Sequence, residues 1–206
     1  GEVSWGIGST ACGVIPRTYR PALAKRLVVA RELAQAVLAK TDVHEGDRES
    51  LEHALERAEH HILDDVHASR ASAQVERVEE LCSTEKSRFF ESATGVVHRA
   101  YRSKIDQNRQ PYVVYVPRAY TTDKTSRFPL VITFHGLGFS PEETLRITLG
   151  QPLKPGQLAL DKHPPTWALR DPGVLVLAVN GYGSVGHRTL GEMDVLHALE
   201  EVKRSY

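Results

Sequence analysis

Two strand ends closed by glycine carry the residues of this chain best suited to chemistry. Pro129-Leu-Val-Ile-Thr-Phe-His-Gly-Leu-Gly138 is a continuous apolar run that stops at His135-Gly136-Leu137-Gly138. Gly173-Val-Leu-Val-Leu-Ala-Val179 runs in the same way into Asn180-Gly181-Tyr182-Gly183. A buried strand ending on glycines delivers a loop to the edge of a sheet where ligands of α/β proteins bind. Glycine lets such a loop turn sharply and approach a substrate with no Cβ in the way. Main-chain N–H groups there can meet negative charge as it develops.

Other constellations carry less. His53, His60 and His67 recur every seven residues, opposite the apolar stripe of their helix. Side chains so spaced are about 10 Å apart along a helix axis, too far to share one ion. Glu56 with His60, or His60 with Asp64, would supply only two ligands, so a solvated helix face is the better account and no metal is expected. Gly6–Gly13 is glycine-rich but lacks the Lys-Ser/Thr end of a phosphate loop. Glu192 and Asp194 stand at the start of the last helix, where its dipole favours carboxylates, and they face different directions. Cys12 and Cys82 match no metal or redox spacing and read as unrelated thiols.

The elements that must position the strand ends follow from periodicity. After an irregular lead-in over residues 1–20, Leu23, Leu27, Ala30, Ala34 and Val37 form one helical stripe. Asp47 is placed to cap a second helix with the stripe Leu51, Leu55, Ala58, Ile62 and Val66. Ala71, Val75, Val78, Cys82 and Phe89 continue it or start a third. At Gly95 the period becomes strand-like. Val96–Ser103 and Pro111–Pro117 flank a polar turn and predict an antiparallel hairpin. Two buried strands follow, joined by a proline-rich crossover with a short helix expected near Thr166–Arg170. Were the sheet to stop at Val174–Val179, that strand would be its open edge. The last helix, Leu190–Tyr206, is expected to bury Met193, Leu196, Leu199, Val202 and Tyr206. The fold class is therefore α/β. Residues 1–94 form a lead-in and helical region, and 95–206 a mostly parallel sheet covered on both faces.

The hairpin, the His135-Gly-Leu-Gly138 strand end and Asn180-Gly-Tyr-Gly-Ser-Val-Gly-His-Arg-Thr-Leu-Gly-Glu-Met-Asp194 together resemble the early part of α/β-hydrolases. The nearest likeness is to the esterase, polyester-depolymerase and prolyl-oligopeptidase-like group, and it covers Val96 to Tyr206. It implies an incomplete α/β-hydrolase sheet, an N-terminal hairpin plus parallel strands. It also implies an oxyanion hole built from the backbone of Gly136, Leu137 and Gly138, with His135 and Tyr182 as substrate-pocket candidates. His135 is then a structural histidine, because the family's catalytic histidine comes last in the chain. The nucleophile in Gly-x-Ser-x-Gly, its acid and its histidine are expected beyond Tyr206. Ser184 has Tyr182 two residues before it, not glycine, and reads as a loop serine.

The implied activity is acyl transfer by a serine hydrolase on a small-molecule ester or a peptide, with no cofactor. The alternative is a non-catalytic helical interaction module fused to a truncated or degenerate hydrolase half. With 26 basic and 26 acidic residues the net charge is zero, which implies no nucleic-acid partner. No apolar run is long enough to span a bilayer. The first residue is Gly1, so a leader before it, and with it a secreted or periplasmic location, is compatible with the sequence. Oligomeric state and compartment stay open.

Overall fold

Leu23, Leu27, Ala30, Ala34 and Val37 lie at three- and four-residue steps, and all are buried along α1 (Tyr19–Leu38). The computed structural model describes residues 19–63, 68–83, 89–122, 127–151, 173–183 and 186–206. The Gly6–Gly13 loop, Cys12, Asp64, Val66, His67, the helix expected near 166–170 and Ser184 lie outside them.

Helices α2 (Glu45–Leu63) and α3 (Ala68–Ser83) pack with α1 through Leu51, Ala54, Ala58, Ala71, Val75 and Val78. Asp47 is not the cap expected of it. The helix starts two residues earlier, and Asp47 is buried in its first turn, where it serves the sheet instead.

The hairpin forms as its alternation predicts. Strand β1 (Gly95–Arg102) pairs antiparallel with β2 (Arg109–Val116). After the short α4 (Ala119–Thr122) come β3 (Leu130–Thr133), α5 (Pro141–Thr148), β4 (Leu175–Val179) and α6 (Leu190–Ser205). The sheet order is β1-β2-β4-β3. Strand β4 pairs antiparallel with β2 and parallel with β3, so the described sheet is mixed rather than mostly parallel.

This order corrects the expected edge. β4 lies inside the sheet with every residue buried, and β3 is the outer strand, with Val131 38% exposed and Phe134 just beyond it 50% exposed. The return from β3 places β4 in the gap beside β2, a choice that an apolar run by itself does not encode.

Both faces of the sheet are covered. Val113, Tyr115, Val176 and Ala178 pack under Leu145 and Leu149 at α5. Val114, Val116, Leu177 and Val179 join Ala198 and Val202 of α6 and the side chains of α1–α3 in one core. The protein is thus a mixed α/β fold in which a helical region precedes a small open sheet.

Helix α5 was missed in the sequence, although its signal was present. Ser140 and Glu143 form a reciprocal capping box with Pro141 in the first turn, a strong helix start hidden among prolines. For α6 the expected face is also corrected. Its buried residues are Gly191, Asp194, Ala198 and Val202, while Met193 and Leu196 are exposed. A Cβ at Gly191 would fall 2.0 Å from the Gly186 carbonyl oxygen, so this glycine contact sets how the helix is rotated.

Candidate functional site

Because β3 and β4 are parallel neighbours, their carboxyl ends emerge at the same edge of the sheet. His135-Gly136-Leu137-Gly138 and Asn180-Gly181-Tyr182-Gly183 are thereby brought side by side. The His135 Nε2–H donates to the Asn180 carbonyl at 3.0 Å and ties the two loops together. His135 is spent on this backbone contact.

The β3 loop leaves its donors open. Phe139 N–H closes a turn on the Gly136 carbonyl at 3.2 Å, and Gly138 holds that turn at φ +84°. Leu137 sits at the tip, 87% exposed. Neither Leu137 N–H nor Gly138 N–H meets an acceptor among the described residues. The space beside Gly136 is empty.

The β4 loop, by contrast, is pinned from beneath. Asp194 is 1% exposed and accepts from Gly181 N–H at 2.6 Å and from the Tyr101 hydroxyl. Burial pushes the Asp194 carboxyl above its ordinary range, against the opposing pull of Tyr101 and the Gly181 and Tyr182 N–H groups. The Tyr101 hydroxyl is raised as well, by burial first and then by this bond. Asp194 is therefore not a matter of helix-start electrostatics, as the sequence suggested. It is a buried acceptor that shapes the loop after β4. Glu192 does face solvent.

Tyr182 adopts φ +55°, a left-handed conformation uncommon for a side-chain-bearing residue. Its hydroxyl turns to the β1–β2 connection, 2.5 Å from Ser103 Oγ and 3.4 Å from Asp106. The ring thus braces the hairpin turn against the β4 loop.

His187 completes the cluster and was not foreseen. Its ring meets Phe134 at 4.7 Å and His135 edge-on at 5.1 Å, and its Nδ1 is buried with no hydrogen-bond partner. A Cβ on Gly181 would fall 2.7 Å from that nitrogen. The only sequence signal for this packing is the run of glycines at 181, 183, 186 and 191, which permits close backbone approach.

Among the described residues no serine, histidine and carboxylate join in a nucleophilic relay, and no three metal-ligating side chains gather. The histidine face of α2 divides. His60 is exposed as expected, but His53 is only half-exposed and lines a cavity against α3 and β1. No family model, curated protein or solved structure matches this chain.

Proposed function

We propose that this chain supplies the charge-stabilising loop of a serine hydrolase that cleaves an ester or peptide bond by acyl transfer. One observation carries the reading: the N–H of exposed Leu137, which meets no acceptor among the described residues, stands on a turn held by Gly138, at the edge shared with the β4 loop. The antiparallel hairpin leading into a parallel strand pair also agrees with the incomplete α/β-hydrolase sheet that the resemblance implies.

In the reaction, a serine oxygen attacks the substrate carbonyl while a histidine takes its proton. The carbonyl π electrons move onto oxygen, and the Leu137 N–H donates to that oxyanion, with Gly136 flanking it. Collapse of the adduct expels the leaving group, which receives the proton from the histidine. The serine and the histidine come from outside residues 1–206. This chain holds the wall that receives the oxyanion, and the chemistry needs no cofactor.

The test uses the protein that carries this chain together with its downstream reading frame. Leu137→Pro removes the donor and should lower ester-hydrolysis kcat roughly 100- to 1,000-fold. Leu137→Ala keeps the N–H and should retain the parent rate. Equal rates for the two variants, or no serine on a sharp strand–helix turn after Tyr206, would sink the proposal.

A further inference from the structure

Between α2, α3, β1, β2 and the start of α5 lies a cavity of about 470 Å³, within the size range of small-ligand pockets. Arginine and histidine side chains outnumber carboxylates on its wall. His53 and Arg57 line it from α2, Arg77 from α3 and His98 from β1. Two further arginines on the wall are already matched, Arg99 by Asp47 at 2.9 Å and Arg109 by Glu49 at 2.8 Å. Glu142 also lines the cavity, but Arg146 holds one of its oxygens at 2.8 Å and His98 Nε2 lies 3.3 Å from the other.

Arg77 is the unmatched charge. It forms no hydrogen bond or ion pair among the described residues, and it is partly buried. Burial lowers its pKa, and the charges of Glu142 and Glu80 oppose that without restoring it. His53 senses the same field. Burial first, then Arg57, Arg77 and His98, hold its pKa down at about 4. A desolvated guanidinium with open donors, in a pocket that already disfavours protonation of a neighbouring imidazole, is complementary to an anion.

We propose that this cavity binds a small organic anion carrying a phosphate or carboxylate group. Arg77 is its principal donor, and the side-chain amides of Gln74 and Gln110 take its remaining polar atoms. The cavity also reaches Asn180, so a bound anion would lie near the root of the β4 loop. The site goes beyond the acyl-transfer reading and stands without it.

The experiment titrates the full chain with inorganic phosphate and, separately, with succinate, at constant ionic strength set by NaCl. Calorimetry measures affinity, and the NMR titration of His53 gives a local readout. Saturable binding of either anion is expected, with the His53 pKa moving upward as the pocket fills. Arg77→Gln should weaken binding about 10-fold or more while the protein stays folded, since the native side chain makes no bond to lose. Gln74→Glu, which puts a negative charge into the same cavity, provides a second route to the same loss. No saturable binding of either anion, an unmoved His53, or unchanged affinity in both variants would overturn the proposal.

Discussion

The two outer strands of the sheet meet their surroundings in opposite ways. Strand β1 is covered by α2. Ser50 Oγ accepts from Ala100 N–H at 3.1 Å, Arg99 is buried against Asp47 and over the Phe90 ring at 4.2 Å, and Arg102 pairs with Glu49. Strand β3 has no such cover among the described residues: it pairs with β4 on one side, and Val131 and Phe134 are exposed. Open strand edges are a pairing hazard that proteins usually blunt with charge or a covering element. Here one edge is closed by a helix and the other carries the glycine loop with open donors. The closed edge is held by side-chain contacts from α2, and the open one leaves main-chain donors and apolar side chains exposed.

Breaking the closed edge should have the largest effect. Asp47→Ala strands the buried Arg99 guanidinium and leaves Phe89 N–H without its 2.8 Å acceptor, so a loss of about 3–5 kcal/mol is expected in urea denaturation. A shift in midpoint no larger than that of an exposed Asp→Ala control such as Asp42→Ala would show that the α2–β1 joint is not what holds this edge.

Within the open half, the contrast between β4 and β3 can be tested with one substitution in each strand. Leu177→Ala, at a fully buried position of β4, should cost about 2–5 kcal/mol. Val131→Thr on β3 should cost under about 0.5 kcal/mol and reduce self-association seen by light scattering. Similar costs at the two positions would mean that β3 is covered in solution as β4 is.

The most local effect is expected at the support of the β4 loop. Asp194→Ala leaves Gly181 N–H and the Tyr101 hydroxyl buried without their acceptor, at a cost of about 1–3 kcal/mol. Hydrogen exchange should accelerate at Gly181 and Tyr182 more than at residues of β1. Uniform acceleration across the sheet would show that Asp194 supports the core in general and not the loop.

How much of this could be read in advance depended on range. The stripe of α1, the hairpin, both apolar strands and their glycine ends were legible because each is written in local periodicity. Helix α5 was legible too, through Ser140 and Glu143, but the surrounding prolines drew attention from the capping box. Asp194 was misread because a carboxylate in a first helical turn normally serves that helix, and its acceptor role depends on Tyr101, 93 residues away.

The amino-acid sequence alone determined the long helices, the hairpin and the two buried strands, and that two glycine loops would close those strands. Only the tertiary structure decided that β4 lies inside and β3 outside, that α6 turns Asp194 inward and Met193 outward, and that five elements line an arginine-bearing cavity. The physical reason is that hydrophobic period specifies an apolar side, not the neighbour that covers it. Which neighbour does so depends on contacts between residues far apart in the chain, such as Gly191 against the Gly186 loop and Arg99 against Asp47.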